Sequence, residues 1–318
     1  MGSIELCLSA PVDYLCDFTY NFYWQHRGSK LEPDSVIPNQ DGTEYTYRDL
    51  VDALSDGIDI HIKGDCGKQL ASSMGVDLFY FGGSGGFIEG TGSIFVDGNI
   101  RSESFGWGVA MCAGNIYVKG SVSEPWGNLV EVTSEVSGYR KFRSITEIVH
   151  NGLGDDELLG GNTFDGERFL LADGVMRNTV GARCRRDVLI EVKNDVGLST
   201  GILMRRGTIH VHGNAGMMTG VVLQGGTVIV DGRSGEFTGT EMKSGTIVVG
   251  GKIGSYVGSK MVGGVIYAKS GAKTTPPAEE QPLTGEDTKY LIKTLKINPI
   301  FASGYSRYTV SGESAKRS

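Results

Sequence analysis

The chain has 318 residues, of which 49 are glycine and 8 are proline, so glycine stands at roughly twice its usual share. Hydrophobic residues make up 39% and the formal net charge is −7, which excludes a disordered low-complexity chain and argues against a general nucleic-acid binder, because phosphate contacts need a basic surface. Collagen is excluded because glycine does not recur at every third position and proline is scarce. We therefore predict a folded protein with many tight turns.

The sequence also bears on the compartment. No stretch approaches the length of apolar sequence that spans a membrane, and the start, Met1-Gly-Ser-Ile-Glu, has no signal-peptide pattern. The five cysteines contain no CxxC pair, so neither a thiolate zinc site nor an iron–sulfur cluster is indicated. A cytoplasmic protein without membrane or nucleic-acid partners is the expectation.

Residues 1–55 are expected to form a small N-terminal cap with a strand and a helix. A strand is predicted near Ile4 to Leu8, followed by an aromatic segment that includes Tyr23 and Trp24. A helix is predicted from about Tyr47 to Leu54. Thr46 and Asp49 are spaced as in a capping box and would start this helix.

Residues 56–132 contain short alternating runs flanked by glycine. These are Gly57-Ile-Asp-Ile-His-Ile-Lys-Gly64, Gly92-Ser-Ile-Phe-Val-Asp-Gly98, Gly114-Asn-Ile-Tyr-Val-Lys-Gly120 and Gly127-Asn-Leu-Val-Glu-Val132. Period-two alternation of apolar residues predicts strands with one buried face. The unequal spacing predicts irregular β-helix turns, followed by an insertion at 133–168.

Residues 169–271 repeat with a period of 19. Four ungapped segments start at Gly207, Gly226, Gly245 and Gly264, each 19 residues after the previous one. A strand, a glycine corner, a shorter strand around a Met or Leu and a second corner would return the chain to its starting point, so that equivalent strands stack in parallel. Glycine suits corners because it adopts positive φ without strain.

Stacking predicts rows of equivalent residues along the coil. Three inward rows are apolar throughout: Ile190, Ile209, Val228, Ile247 and Ile266; Val192, Val211, Val230, Val249 and Ala268; and Met204, Leu223, Met242 and Met261. Residues 272–318 are then predicted to form a linker, a short helix from Thr284 to Lys296 and a tail. The fold class predicted is all-β, a right-handed parallel β-helix with 19-residue turns, a small α/β N-terminal cap and a short C-terminal helix.

The repeat, Met/Leu-x-x-Gly-x-Ile-x-Val-x-Gly, resembles that of the GXGXG β-helix superfamily. That superfamily includes the β-helical subunit of formylmethanofuran dehydrogenase and the carboxy-terminal domain of the glutamate synthase large subunit. The segments Gly213-Asn-Ala-Gly216 and Gly254-Ser-Tyr-Val-Gly258-Ser-Lys-Met261 resemble the former, and Met176-Arg-Asn-Thr-Val-Gly181 is similar to the start of the latter domain.

The resemblance implies a non-catalytic scaffold subunit of a multi-subunit redox complex, of the kind that reduces CO2 and transfers formyl groups in the one-carbon metabolism of methanogenesis. Its partner subunits would carry molybdopterin, iron–sulfur clusters or flavin, and this chain would carry no cofactor. One alternative is a glutamate synthase-like subunit in glutamine-dependent amidotransfer. A second is a stand-alone ligand-binding or hydrolytic protein.

The residues themselves give few signs of catalysis. His210 and His212 point to one face of a strand, a spacing compatible with metal binding, but in the next turn only Asp231 could be a third ligand. Gly82-Gly-Ser-Gly-Gly86 lacks the Gly-Lys-Ser/Thr ending of a phosphate-binding loop. We therefore predict no catalytic, cofactor-binding or metal-ligating residues.

Two surface features stand out. One is a candidate surface for an anion or an acidic partner, formed by six arginines: Arg177, Arg183, Arg185, Arg186, Arg205 and Arg206. The other is an outward strip that becomes apolar along the coil, formed by His210, Ile229, Val248 and Tyr267. Such a strip suggests cover by another subunit or by a terminal segment of this chain. Met218, Phe237 and Tyr256 recur at the same spacing and would extend it if they face outward.

Overall fold

A computed structural model describes residues 2–22, 31–103 and 105–310. The chain divides into two compact units, Met1–Gly160 and Gly161–Ser318. Tyr23 and Trp24 of the predicted aromatic segment lie outside the described residues.

The first unit contains a sheet of six strands. They are β1 (Ser3–Cys7), β2 (Asp59–Lys63), β3 (Ile94–Val96), β4 (Asn115–Val118), β5 (Leu129–Val132) and β6 (Arg140–Ser144), in the order β1-β2-β3-β4-β6-β5. The pairs from β1 to β4 are parallel, and those of β6 with β4 and β5 are antiparallel. The same unit contains helices α1 (Tyr47–Ser55) and α2 (Ile145–Asn151) and a 3₁₀ turn at Phe79–Phe81.

The second unit contains a sheet of nine strands. They are β7 (Thr163–Phe164), β8 (Arg168–Leu171), β9 (Leu189–Val192), β10 (Thr208–Val211), β11 (Gln224–Val230), β12 (Ser244–Val249), β13 (Val265–Lys269), β14 (Ala278–Gln281) and β15 (Tyr305–Val310). Strands β8 to β13 stack in sequence order and in parallel, whereas β7, β14 and β15 pair antiparallel at the two ends. Helices α3 (Gly285–Leu295) and α4 (Pro299–Ala302) follow β14.

The predicted parallel β-helix is confirmed, together with its register. Ile209 pairs with Ile190 on one side and with Val228 on the other, and Val228 pairs with Ile247. The side chains of all three inward rows are at most 1% exposed. The interior of the second unit is therefore filled by aliphatic side chains and methionines.

Three details differ from the sequence prediction. Strand β1 is not separate from the coil, because it pairs in parallel with β2. Leu129–Val132 is not another turn of the ladder: β6, from the predicted insertion, lies between β4 and β5 and pairs antiparallel with both. The parallel stacking of the second unit begins at Arg168, one residue before the predicted boundary.

The segments around Met204, Leu223, Met242 and Met261 are turns and not the predicted second strand. The backbone has positive φ at four corner residues, Ser199, Met218, Phe237 and Tyr256. It has positive φ again, from 52° to 56°, at the residue four positions after each of them. The two positions together bend the chain tightly around each buried Met or Leu. The second ladder instead runs through the bridges that join Val196, Ala215, Ser234 and Ile253. These four residues come soon after the main strand, so the corner there is shorter than predicted.

The turns approach so closely that two glycine rows are sterically required. A Cβ atom on Gly245, where φ is +95°, would lie 2.6 Å from the carbonyl oxygen of Gly226 in the preceding turn. At Gly220, where φ is +66°, it would lie 2.4 Å from Cδ1 of Ile247 in the interior. Any side chain at these positions would push two turns apart or displace a core residue.

Both predicted helix starts are confirmed. Thr46 and Asp49 form a capping box at α1, and Thr284 and Asp287 form one at α3. Each threonine accepts a hydrogen bond from the backbone of its aspartate, which in turn accepts one from the threonine backbone. All five cysteines are free thiols. Among the described residues, no helix is both long and apolar enough to cross a bilayer.

The close approach of the turns can be tested at Gly245. We expect Gly245→Ala to lower the free energy of unfolding by about 3 kcal/mol, because it adds a backbone clash to the cost of positive φ. Gly271→Ala is the matched control: φ is +77° there but nothing lies within 4 Å of the added Cβ, so it should cost only about 1 kcal/mol. Urea titration of the full chain measures both, and equal losses would contradict the predicted contact between turns.

Candidate functional site

Three of the four residues of the predicted outward strip are covered by the chain's own C-terminal segment. His210, Ile229, Val248 and Tyr267 do lie side by side on β10 to β13. Val248 and Tyr267 are buried in a cluster with Leu291 of α3 and Tyr305 of β15, and Ile229 packs against it. Of the two kinds of cover that the sequence left open, the structure thus has the terminal segment over Ile229, Val248 and Tyr267, whereas His210 stays partly exposed.

A buried hydrogen bond fixes this cover. The hydroxyl of Tyr267 donates to Oδ1 of Asp287 over 2.6 Å. Burial by itself would raise the pKa of Asp287, but the hydrogen bonds from Tyr267 and Thr284 and the charge of Arg307 outweigh burial and lower it below the ordinary value. The same carboxylate therefore caps α3 and holds it against the strip.

The six arginines do not form one surface. Arg177 is completely buried and makes an ion pair with Asp173, and Arg183 is buried as well. Both lie in the segment that precedes β9, where their side chains fold inward. The prediction of a surface with six members is therefore wrong for these two, while Arg185 is half-buried and Arg186 is exposed.

Arg205 and Arg206 form an exposed basic pair. They line an open hollow of about 590 Å³ together with Glu167 and Asp187. Arg206 lies 3.7 Å from Asp187, with the two side chains 67% and 82% exposed, and Arg205 donates to the side chain of Gln224. An exposed ion pair of this kind is worth little for stability, so the side chains of this basic pair can exchange it for other contacts.

The corner residues Met218, Phe237 and Tyr256 face outward and do not fill the interior. The rings of Phe237 and Tyr256 stack with centroids 4.7 Å apart and an interplanar angle of 10°. Tyr256 is 48% exposed, and φ is positive at all three positions. The repeated apolar column therefore lies at the surface.

Four polar side chains meet on the outer face of three successive turns. This histidine–carboxylate cluster consists of Glu191, His210, His212 and Asp231. Glu191 pairs with His210 across β9 and β10, and Asp231 follows β11 at the position that His212 occupies after β10, 19 residues earlier. Since Ile209 and Val211 point inward, His210 and His212 point outward.

The contacts within the cluster are short. Nε2 of His210 lies 2.9 Å from Oδ1 of Asp231, and Nδ1 of His212 lies 2.9 Å from Oδ2 of the same carboxylate. Nε2 of His212 lies 2.6 Å from Oε1 of Glu191. The two imidazole side chains are 21% and 30% exposed, so the cluster is open to solvent on one side.

Basic neighbours hold Glu191 in its ionised form. Nζ of Lys193 lies 2.6 Å from its Oε1, and Nε of Arg168 lies 2.8 Å from its Oε2. Burial tends to raise the pKa of Glu191, but the hydrogen bonds from Lys193, His212 and Arg168 outweigh burial and lower it to about 2. Glu191 is thus a fixed carboxylate at physiological pH.

Asp231 was recognised from the sequence as a possible third ligand, whereas Glu191 was missed. Glu191 lies one repeat before His210, in the preceding turn, whereas Asp231 lies in the following one. The signal in the sequence that identifies Glu191 is the same 19-residue spacing, counted from His210 toward the N-terminus. His210, His212 and Asp231 together offer two imidazoles and one carboxylate, the kind of donor set that holds a borderline divalent cation. The absence of metal-ligating residues therefore stays a prediction.

The first unit has a cavity of about 580 Å³ beside α2, which the sequence did not indicate. Its lining includes Cys112, Glu147 and His150. Burial raises the pKa of Glu147 in spite of Arg143, whose guanidinium lies 3.7 Å away. The ring of His150 packs edge-on against Phe87.

The chain is similar to a relative and to a solved structure, among other known proteins. A protein described as uncharacterized from Methanothermobacter thermautotrophicus (strain Delta H) is 49% identical over 208 residues, which are 65% of this chain and 65% of that protein. The chain thus spans just under two thirds of that relative's length. A chain of the formyltransferase/hydrolase complex FhcABCD from Methylorubrum extorquens, solved in complex with methylofuran, is 17% identical with a TM-score of 0.32, over 96% of this chain and 93% of that one. No protein-family model matches the chain.

The cover over the strip should loosen in acid. The pKa of Asp287 is lower in the folded protein than in the unfolded one, so its contribution to stability is present above the ordinary value of 3.8 and is lost as the pH falls below it. We expect hydrogen exchange in residues 285–295, corrected for the intrinsic pH effect, to accelerate below about pH 4. Tyr267→Phe should accelerate it roughly tenfold at neutral pH, because a hydrogen bond to a charged group is lost.

Asp49→Asn is the control for this experiment, since it removes the equivalent capping box at α1. It should leave exchange in residues 285–295 unchanged. Protection of α3 that is indifferent to both acid and Tyr267→Phe would show that the Tyr267–Asp287 contact does not hold the helix.

Proposed function

We propose that the protein is a non-catalytic β-helix scaffold subunit of a cytoplasmic multi-subunit redox complex. By its motif resemblance to the β-helical subunit of formylmethanofuran dehydrogenase, the partners would be molybdenum- or tungsten-dependent and amidohydrolase-like subunits. Carbon dioxide and the formyl carrier would be their substrates. Molybdopterin and iron–sulfur clusters would belong to these partners.

The observation that carries the proposal is the filled interior. None of the three inward rows is more than 1% exposed, so the second unit encloses no substrate between its walls. Its distinguishing residues lie on the outside, where equal turn lengths present side chains in regular columns. Such a surface is suited to holding other proteins in fixed positions.

Two exposed features of the second unit are suited to partner contacts. Arg205 and Arg206 can form bidentate hydrogen bonds to carboxylates of an acidic partner. The stacked rings of Phe237 and Tyr256 offer rigid apolar area of the kind enriched at interfaces. The covered part of the strip on β10 to β13 has no such role, because α3 lies over it.

A glutamate synthase-like role in amidotransfer rests on the same repeat and is the alternative. It differs in the partners, which would be a flavin-binding synthase domain and a glutaminase. A stand-alone ligand-binding or hydrolytic protein would use the candidate surface of six arginines. The burial of Arg177 and Arg183 removes two of these six residues from that surface.

Purification of the chain from its native host tests the proposal. We expect stoichiometric co-purification of subunits that contain molybdopterin and iron–sulfur clusters, identified by mass spectrometry and metal analysis. Co-purification of a flavoprotein and a glutaminase would replace the leading proposal by the alternative. A monomer with catalytic activity of its own would contradict both.

The basic pair gives the sharper test. Charge reversal in Arg205→Glu/Arg206→Glu should weaken co-purification of the partners roughly tenfold or more, because it converts attraction into repulsion at the interface. Lys252→Glu is the control, since Lys252 is an exposed cation of the same unit outside the hollow. Equal loss in both variants would indicate a general charge effect, and no loss in either would exclude Arg205 and Arg206 from the interface.

A further inference from the structure

In its neutral form, His212 cannot satisfy both carboxylates of the histidine–carboxylate cluster. Both ring nitrogens of His212 face carboxylate oxygens, Nε2 toward Glu191 and Nδ1 toward Asp231. A neutral imidazole carries a single N–H and can donate to only one of them. Donation from Nε2 to Glu191, the shorter contact, leaves the lone pair of Nδ1 pointing at an Asp231 oxygen 2.9 Å away.

A cation between Nδ1 and Asp231 removes this conflict, because both atoms then act as ligands. Nε2 of His210 lies equally close to the second oxygen of Asp231 and supplies a third donor. The three donor groups lie within 4.8 Å of one another. We propose that His210, His212 and Asp231 bind one Zn²⁺ ion on the outer face of the coil.

The kind of donor selects the kind of ion. Two imidazoles and one carboxylate suit Zn²⁺, whereas Mg²⁺ and Ca²⁺ prefer ligand sets made of oxygen alone. Zinc bonds of about 2.0 Å in a tetrahedral arrangement separate the donor atoms by roughly 3.3 Å. The two nitrogen–oxygen separations of 2.9 Å need to open by a few tenths of an ångström, and the widest separation among the three donor groups, up to 4.8 Å, needs to close; rotation of the partly exposed side chains allows both.

Glu191 is placed to accept a hydrogen bond from a histidine that binds the zinc ion. Histidine ligands of zinc commonly donate their other N–H to a carboxylate, which fixes the tautomer and strengthens the metal bond. Glu191 accepts from Nε2 of His212 and is itself held by Lys193 and Arg168. Glu191 is thus a positioning residue, with its own charge matched by these two cations.

The charge of Asp231 is not balanced in this way. Among the residues that the structure describes, its ion-pair partners are the two imidazoles, and no lysine or arginine lies within 4.0 Å. The partial exposure of the cluster leaves a fourth position on the ion for water or for the oxygen of a ligand. Since the two histidines and Asp231 come from adjacent turns, the ion would also tie these turns together.

Zinc titration of the full-length, untagged chain tests the proposal. After treatment with a chelator, the protein should bind one Zn²⁺ per chain, and Zn²⁺ should raise its midpoint of thermal unfolding. Co²⁺ in place of Zn²⁺ should give the intense visible absorption of a four-coordinate site. His210→Ala, His212→Ala and Asp231→Asn should each weaken binding by at least roughly tenfold, and Glu191→Gln by about 10–100-fold.

His61→Ala provides the matched control, because His61 is also a strand histidine but lies in the first unit, stacked on Phe95. It should leave zinc affinity unchanged. The proposal is overturned if Asp231→Asn binds zinc as tightly as the unchanged protein. It is equally overturned if nitrogen-resolved NMR shows His212 with both ring nitrogens protonated and indifferent to added zinc. Neither result depends on whether the chain is a scaffold subunit.

Discussion

The contact of one turn's backbone with the next is the constraint on which this molecule depends. Parallel strands pair at about 4.8 Å, and at that spacing a carbonyl oxygen of one turn lies where the Cβ atom of Gly245 would otherwise be. Glycine at the corner therefore permits the ladder, and from β9 to β13 every turn has the same length of 19 residues. Once turn length is fixed, residues 19 apart become neighbours, inside and outside the coil.

This constraint separates two kinds of surface. Inside, it produces rows such as Ile209, Val228 and Ile247, which bury each other and leave no room for chemistry. Outside, it brings together residues that share no local motif: one repeat separates Glu191 from His210, which is its partner across β9 and β10, and one repeat separates His212 from Asp231, which it contacts. The histidine–carboxylate cluster, with its short contacts, thus arises from the 19-residue period of the backbone.

How well the sequence predicts a structural feature depends on how far apart in the sequence the interacting residues are. The helix starts at Thr46 and Thr284 depend on residues three apart, and the inner rows depend on a repeat visible in the chain, so both were predictable. The antiparallel placement of β6 depends on pairing with strands on either side of it and carries no periodic signal. The cover of Val248 and Tyr267 by α3 was foreseen only as one of two options, since an apolar outward strip does not specify what covers it.

The arginines also show which features the sequence does not predict. Arg177 and Arg206 look alike in sequence, yet one is buried against Asp173 and the other is solvent-exposed. Their fates differ because the backbone directs one side chain inward and presents the other to water at a corner. The number and spacing of charged residues in the sequence do not predict this difference in burial. They do not predict the role of Glu191 either, because that role depends on a neighbour in the next turn.

The way the stack ends has a consequence for assembly. A parallel coil could in principle grow by accepting another chain on its last strand, as filaments do. Here β15 lies against β13 with reversed direction, and β14 then forms the outer edge with Glu279 and Glu280 on it. An incoming copy would meet the two negative charges of Glu279 and Glu280 on β14, which disfavour further strand pairing at this edge.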